Sequence, residues 1–399
     1  MRVLMLSWEY PPHVVGGLGK HVGEIVPALA HSGVEVHLLT PRWAGGDATE
    51  AVQSGTTVYR LDPPTDRSGT FYEIAQRTNE VIAQKARGLL RSTASFDIIH
   101  VHDWLVAFAG ITLKHEFKIA LLSTIHATER GRSRGQLHND MQRAIDGMEW
   151  RLTYESWRII CCSHFMAQEV REYFSAPADK IDVIPNGITT AQFDALEGID
   201  LSGFRSRFAA DSEKIVFYVG RLVHEKGLHV LIDAVPHVLK QCPEAKFVIA
   251  GTGSMFDSLR QQADSLGVSA KVYLTGFISD EDRNRLFKVA DCAVFPSLYE
   301  PFGIVALEAM AAKTPVVVTE TGGLKEVVEH GETGITVYPG NAESLAWGIT
   351  HTLQHPEWSK ARVANAYRRV LSEYNWQHIA AQTRLVYERV RNERAKVDW

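Results

Sequence analysis

Short apolar runs alternate with helix-like segments along the first half of the chain. The first run, residues 3–6, precedes a loop with two prolines. The segment after it carries apolar residues at Val22, Ile25, Val26 and Leu29, which is the spacing of one helical face. Further apolar runs predict strands at 34–40, 97–102 and 120–126. Continuous apolar strands separated by helices indicate a parallel sheet that is covered on both faces.

The same pattern starts again after a Pro185-Asn186-Gly187 turn and an irregular segment at 195–203. Strands are predicted at 214–220, 246–250, 271–275, 292–296 and 315–319, each followed by a Gly or Pro break and a helical pattern. The final stretch, 376–394, is an amphipathic helix with Ile379, Thr383, Val386 and Val390 on one face. We therefore predict an α/β protein in which two Rossmann-like domains face a cleft.

The predicted domains are residues 1–190 and 191–375, and the C-terminal helix, 376–399, is expected to cross back to the first domain. A chain of 399 residues is longer than one hydrophobic core usually supports. Ligands of such sheets bind outside the carboxyl ends of the strands, so residues that directly follow strands are the candidates for a site.

Composition excludes several classes of partner. The formal net charge of −5 gives no overall field that would attract nucleic acid, and no segment approaches the ~18 consecutive apolar residues of a membrane helix. The four cysteines lack metal or redox spacing, and the apolar N-terminus is too short for a signal peptide. We expect a cytoplasmic protein with reduced thiols, no nucleic-acid partner and no stable membrane insertion.

Two groups of candidate residues follow strands in the first domain. Gly16 and Gly17 open the first helix, where free N–H groups favour an anion, although a purely structural turn explains the glycines almost as well. A second group, near the ends of two later strands, comprises His102, Asp103, His126 and Glu129. A single histidine is more often a core or surface residue than a catalyst. No paired histidines or carboxylates complete a metal shell, so we expect no metal.

Two further groups follow strands in the second domain. Arg221 and Lys226 come after its first strand and are suited to clamp a diphosphate, although a solvated surface pair is equally compatible with the pattern. Glu300 begins a Pro-Phe-Gly turn into a helix that carries Glu308 among apolar neighbours. The Glu300 carboxylate can accept hydrogen bonds from a sugar, and the Glu308 carboxylate can accept them from a ribose diol. A Thr321-Gly322-Gly323 loop follows the next strand.

The order of these motifs resembles the retaining glycosyltransferases of family 4, which have the two-domain GT-B architecture. The most specific elements are the G-G-L-G loop, the Gly220-Arg221 to Gly227 stretch and the E-x7-E motif that ends at Glu308. Stretches around Trp8, His102 and His126 look most like those of bacterial glycogen-synthase-type α-1,4-glucosyltransferases.

The resemblance implies catalytic roles for His126, beside the anomeric carbon, and for Glu300. It implies acceptor-side positions for His102, Asp103 and Glu129. The residues that it implies for the nucleotide-sugar donor are Gly16, Gly17, Arg221, Lys226, Gly276, Phe277, Ile278, Phe302, Gly303, Ile304 and Glu308. No cofactor is implied, because these enzymes need no metal and the nucleotide sugar is a substrate.

The expected reaction is retaining transfer of glucose from UDP- or ADP-glucose to an α-glucan or a maltooligosaccharide. One alternative is transfer to a small acceptor such as a sugar phosphate or an inositol phosphate, with Arg130, Arg132 and Arg134 as a source of positive charge. The same motifs would also suit a nucleotide-sugar epimerase, which changes the sugar without any acceptor, or a non-catalytic sensor of nucleotide sugars. A two-carboxylate glycosidase fits less well, since a hydrolase does not need a cationic diphosphate clamp.

Overall fold

The computed structural model describes residues 1–53, 55–92 and 95–398. Contacts divide the chain into two compact units, an N-terminal unit of Met1–Gly187 with Trp376–Trp399 and a C-terminal unit of Ile188–Asn375. Trp399, the last residue of the predicted C-terminal helix, lies outside the described residues. Within the described part of the chain, no helix combines the length and the apolar character that crossing a bilayer requires.

The N-terminal unit is built on an eight-stranded sheet with the order β3-β4-β2-β1-β5-β6-β7-β8. Its strands are β1 Arg2–Leu6, β2 Glu35–Pro41, β3 Thr49–Gln53, β4 Thr56–Leu61, β5 Ile98–His102, β6 Ala120–Ile125, β7 Arg158–Cys161 and β8 Ile181–Val183. Its first helices are α1 Gly17–His31, α2 Phe71–Ser92, α3 Ala107–Phe117, α4 Glu129–Arg132, α5 Asp140–Glu155 and α6 His164–Phe174. Single 3₁₀ turns lie at Trp104–Val106 and Ala178–Lys180.

The predicted parallel sheet is confirmed, with one exception at its edge. Strand β3 pairs antiparallel with β4, and the other pairs are parallel. Apolar runs did not reveal β4, because its side chains alternate between buried and half-buried, as expected near a sheet edge. The chain crosses between the two halves of the sheet beside β1, which lies between β2 and β5.

The C-terminal unit has a six-stranded parallel sheet with the order β11-β10-β9-β12-β13-β14. Its strands are β9 Lys214–Val219, β10 Ala245–Ala250, β11 Val272–Gly276, β12 Cys292–Phe295, β13 Val316–Thr319 and β14 Ile335–Val337. Its helices are α7 Ala191–Asp194, α8 Ser202–Arg205, α9 Leu228–Leu239, α10 Phe256–Ser265, α11 Asp280–Val289, α12 Ile304–Ala311, α13 Leu324–Val327, α14 Ala342–Gln354 and α15 Pro356–Glu373. Single 3₁₀ turns lie at His224–Lys226 and Ser269–Lys271.

Strand order defines the switch point of the C-terminal sheet. Strand β9 lies between β10 and β12, so the chain reverses direction across the sheet at the β9–β12 border. In open sheets of this kind the crevice at the carboxyl ends of such strands receives the ligand. The loops after β9 and β12 therefore lie at the edge of this sheet where a ligand is expected to bind.

The last helix, α16 (Trp376–Arg394), packs on the N-terminal unit. The face predicted from the sequence is buried, and Ile379, Thr383, Val386 and Val390 all belong to it. Tyr387 from the same face is fully buried, and its hydroxyl lies 2.7 Å from Nδ1 of His100 in β5. Apolar burial and one buried hydrogen bond thus fix the end of the chain to the first sheet.

Candidate functional site

The loops after β9 and β12 are joined to each other at the switch point of the C-terminal unit. The backbone N–H groups of Leu298 and Tyr299 donate to the carbonyl oxygen of Glu225, at 2.8 and 3.2 Å. Next to this junction, Nζ of Lys226 lies 2.6 Å from Oε2 of Glu300. Both side chains are largely buried, with 17% and 11% of their surface exposed. The Glu300 carboxylate is therefore paired by a cation that comes from the other loop.

Two glycines allow these loops to approach closely. Gly227 has a φ of 69°, and a Cβ atom there would lie 2.0 Å from the carbonyl oxygen of Pro296. At Gly323, a Cβ atom would lie 2.4 Å from the carbonyl oxygen of Pro301, and its N–H donates to the carbonyl oxygen of Glu300 at 2.9 Å. Any side chain at either position would force backbone apart, so both glycines are required by the shape of this site.

Arg221, the other predicted diphosphate ligand, is half exposed. Its Nη2 lies 3.3 Å from Oε1 of Glu225, and its carbonyl oxygen accepts a hydrogen bond from the buried Tyr218 hydroxyl at 3.2 Å. The backbone of Arg221 is thus held while its guanidinium makes only an exposed pair, which is worth at most about 1 kcal/mol. An anionic ligand can therefore compete for the guanidinium.

Glu308 is 2% exposed, in agreement with its apolar neighbours in the helix. It lies in the second turn of α12, and Oε1 is 3.7 Å from Nη2 of Arg283 in α11. Arg283 also forms an ion pair with Asp280. Carboxylate oxygens at such a position are suitable acceptors for the hydroxyls of a ligand.

Helix α12 begins directly after the predicted Pro-Phe-Gly turn. Gly303 has a φ of 108°, and Phe302 is buried with its ring 6.2 Å from that of Tyr374. The predicted start of the helix at Ile304 is confirmed. The first N–H groups of a helix have no partner within the helix, so this turn presents donors next to Glu300 in the chain.

The turn after β11 contains the three residues that the resemblance assigns to the nucleotide base. Gly276 ends the strand with a φ of 73°, and its carbonyl oxygen accepts from the N–H of Gly251 at 2.8 Å. Phe277 is 82% exposed and Ile278 is half-buried. An exposed aromatic ring at the carboxyl end of a strand is a suitable surface for a planar ligand.

In the N-terminal unit, the glycine loop before α1 donates hydrogen bonds to a carboxylate of the protein's own chain. Oε2 of Glu9 accepts from the N–H groups of Val15 and Gly16, at 2.8 and 3.1 Å. Glu9 is buried, and a Cβ atom at Gly19 would lie 2.6 Å from the same oxygen. Sequence reasoning assigned no role to Glu9, although a carboxylate just after β1 was the available signal.

Asp103 holds the loop that carries His126. Its Oδ1 accepts from the backbone N–H of His126 at 2.7 Å, and its own N–H donates to the carbonyl oxygen of Thr124. Burial raises the pKa of Asp103 to about 7. Asp103 also has a φ of 60°, an uncommon conformation for a residue with a side chain, and such strain is concentrated at functional sites.

Four histidines cluster at this loop; three of them are buried and His126 is half-buried. Nδ1 of His102 lies 3.1 Å from Nε2 of His126, His100 contacts Thr124 and Tyr387, and Nδ1 of His21 lies 2.7 Å from Oδ1 of Asn186. Burial lowers the pKa of His21 to about 4 and that of His100 to about 3, and it also lowers the pKa values of His102 and His126. His102 is fully buried behind His126, which places it as a support rather than at a surface. Neither His21 nor His100 was predicted, because one lies within a helix and the other within a strand.

Acidic residues surround the start of α4. The N–H of Glu129 donates to both carboxylate oxygens of Glu149, at 3.0 Å each, and burial raises the pKa of Glu149 well above its usual value. Arg130, one of the three arginines considered for a phosphate, pairs with Asp146 and lies over the ring of Tyr173. Its charge is thus already engaged within the unit.

Comparisons with known proteins agree with this arrangement. The fold, two sheet units with charged and glycine-rich loops at the carboxyl ends of their strands, is that of the GT-B glycosyltransferases. The family model "Glycosyltransferase Family 4" matches residues 15–192, and the model "Glycosyl transferases group 1" matches residues 204–369. The chain belongs to glycosyltransferase family 4 and is a hexosyltransferase.

Relatives match this chain along nearly its full length. An uncharacterized glycosyltransferase of Methanocaldococcus jannaschii is 41% identical over 97% of this chain and 98% of its own. The glycogen synthase of Mycobacterium tuberculosis is 36% identical over 97% of this chain and 94% of its own. Among solved structures, the sucrose-phosphate synthase of Thermosynechococcus elongatus superposes with a TM-score of 0.83 at 24% identity, covering 98% of both chains.

Proposed function

We propose that the protein transfers glucose from UDP- or ADP-glucose to an α-glucan or a maltooligosaccharide, with retention of anomeric configuration and without a metal ion. The observation that carries the proposal is the Lys226–Glu300 pair at the switch point of the C-terminal sheet, 2.6 Å between charged atoms. The 36% identity to a glycogen synthase along nearly the whole chain supports the choice of a glucan.

In this proposal the pair separates when the donor binds. Lys226 and Arg221 turn to the diphosphate, and the Glu300 carboxylate accepts from hydroxyls of the sugar. The buried Glu308 carboxylate accepts from the ribose, while backbone of the Gly276-Phe277-Ile278 turn borders the base. A buried cation and a buried carboxylate that already neutralise each other are each ready to meet a ligand group of opposite character.

Bond breaking between the anomeric carbon and the phosphate oxygen leaves negative charge on the diphosphate. Fixed cations and helix N–H groups stabilise that charge in the transition state, and each such group is worth about 3–4 kcal/mol in comparable sites. The acceptor hydroxyl attacks from the face that the phosphate leaves, and its proton passes to the departing phosphate oxygen. The new glycosidic bond then has the configuration of the donor, and the nucleoside diphosphate departs with the proton.

In the N-terminal unit, we assign His126 to the donor sugar beside the anomeric carbon. Asp103 holds its backbone and His102 its ring, with distances of 2.7 and 3.1 Å. Glu129 and Asp103 are proposed for the acceptor side. Gly16 and Gly17 approach the diphosphate or the acceptor once the Glu9 carboxylate leaves the N–H of Gly16.

The proposal is tested by incubating the protein with UDP-glucose or ADP-glucose and maltooligosaccharides, followed by linkage analysis of the products. We expect α-1,4 extension with at least one donor in the presence of EDTA, and loss of extension in Glu300→Gln. No extension with either donor would refute the proposal. If the protein glycosylates a sugar phosphate but no maltooligosaccharide, the proposed acceptor is wrong and a sugar phosphate takes its place. A sugar nucleotide that is altered in the absence of any acceptor would indicate an epimerase.

A further inference from the structure

Three imidazole rings converge inside the N-terminal unit from three different elements. His21 lies in α1, His102 is the last residue of β5 and His126 follows β6. One ring nitrogen from each lies within 4.8 Å of the other two, and the ring centroids are 4.8 to 5.4 Å apart. No pair among them has a helical metal-binding spacing, so only the fold brings them together.

The hydrogen bond of His21 fixes which of its nitrogens is available. Nδ1 lies 2.7 Å from Oδ1 of Asn186, and an amide oxygen can only accept. Nδ1 therefore carries the proton and Nε2 keeps a lone pair. Metal-binding histidines typically have this arrangement, in which the second nitrogen donates to an outer oxygen that orients the ring.

The pair of His102 and His126 is short of one hydrogen bond. The facing atoms, Nδ1 of His102 and Nε2 of His126, share a single proton when both rings are neutral. Nε2 of His102 is buried and has no hydrogen-bond partner among the described residues. Whichever ring carries the shared proton, this nitrogen stays unpaired, which costs about 1–3 kcal/mol. The cluster thus contains a buried ring nitrogen that the described residues leave without a hydrogen bond.

We propose that His21, His102 and His126 form a site for a divalent transition-metal ion of the zinc type. Imidazole nitrogen is a preferred ligand of Zn²⁺, Co²⁺ and Ni²⁺. Bonds of about 2.0–2.1 Å place tetrahedral ligand atoms roughly 3.3 Å apart, so nitrogens at the widest present separation approach by roughly 1.5 Å. Glucose transfer as proposed above uses no metal, and an ion at this site would hold His126 and inhibit transfer. Only this last consequence rests on the proposed function.

The test uses the full-length protein, stripped of metal with a chelator and titrated with Co²⁺ alone. We expect one saturable equivalent with the strong visible absorption of four-coordinate cobalt, which Zn²⁺ then displaces. His21→Gln should weaken Co²⁺ binding by at least about 10–100-fold, the loss known for an outer partner alone. His31→Gln is the matched control, because this exposed histidine lies in the same helix, where its Nδ1 bonds the carbonyl oxygen of Pro27. It should leave binding unchanged.

Cobalt affinity that is the same in His21→Gln as in the unchanged protein, or absorption without saturation, would overturn the proposal. If the thermal unfolding curve of His21→Gln shows that this variant does not fold, His126→Gln serves as a second variant, because His126 lies outside any helix or strand. Transfer is measured separately with and without Zn²⁺. A protein that binds cobalt through these residues but transfers no sugar refutes the proposed function and leaves the metal site intact.

Discussion

The Lys226–Glu300 pair predicts that stability and catalysis can be separated by two neutralising substitutions. At 2.6 Å and an effective dielectric constant of 20, the attraction between the charges is about 6 kcal/mol before desolvation is subtracted. Removing one partner of a buried pair leaves the other charge unpaired and typically costs about 3–5 kcal/mol. Since both side chains keep some exposure, we expect about 3 kcal/mol for Lys226→Met and for Glu300→Gln.

Thermal unfolding gives the stability part of this prediction. A loss of about 3 kcal/mol corresponds to roughly 6–12 °C in Tm for a unit of this size. The double variant Lys226→Met/Glu300→Gln should recover most of that loss, because no unpaired charge remains. Lys360→Met is the control, since the Lys360–Glu357 pair is 72% and 78% exposed and should change Tm very little.

Kinetics give the catalytic part. The double variant should regain its Tm but stay about 100- to 1,000-fold below the unchanged protein in kcat, because a fixed cation for the leaving diphosphate is missing. If the loss in Tm of the double variant equals the sum of the losses of the two single variants, the two charges are not coupled. A double variant with restored kcat would refute the assignment of Lys226 to the diphosphate.

Three further outcomes follow from the structure. Gly227→Ala should lower the free energy of unfolding, measured in denaturant, by more than about 2 kcal/mol. The control Gly267→Ala has nearly the same φ, 68°, but open space around it, and should lower the free energy of unfolding by only about 1 kcal/mol. Equal losses would contradict the close approach of Gly227 to Pro296. Burial raises the pKa of Glu149 above its value in the unfolded chain, so ionisation of this carboxyl opposes folding as pH rises above about 4. Glu149→Gln should therefore stabilise the protein more at pH 8 than at pH 4. A change in stability that does not depend on pH would contradict the raised pKa. All four cysteines are buried thiols outside any disulfide, so a thiol reagent should react with none of them before unfolding, and fast labelling of the native protein would contradict their burial.

Sequence alone could predict what depends on local pattern. Continuous apolar runs located the central strands to within about one residue, and the Pro-Phe-Gly turn located the start of α12 at Ile304. Strand β4, which lies next to the edge strand β3, was missed because every second side chain is only half-buried and the strand therefore lacks a continuous apolar run. Glu308 could be placed inside the protein because its neighbours in the helix are apolar.

Other features depend on contacts between distant parts of the chain. His21 and Asn186 are 165 positions apart, and their hydrogen bond gives no trace in either local sequence. The expectation of no metal stays a prediction. It rested on the lack of local spacing, and local spacing cannot detect histidines that a helix, a strand end and a loop bring together. The engagement of Arg130 by Asp146 was equally invisible, since either residue alone is typical of an exposed surface.

The position of Glu9 has a consequence for which anions can reach the glycine loop. The Glu9 carboxylate is at most seven positions along the chain from the two N–H groups that donate to it. It therefore competes with any anion from solution at a high effective concentration. A dilute monovalent anion from solution cannot displace it. Only a ligand that is anchored elsewhere by further contacts gains entry, so this carboxylate excludes small monovalent anions such as chloride from the glycine loop.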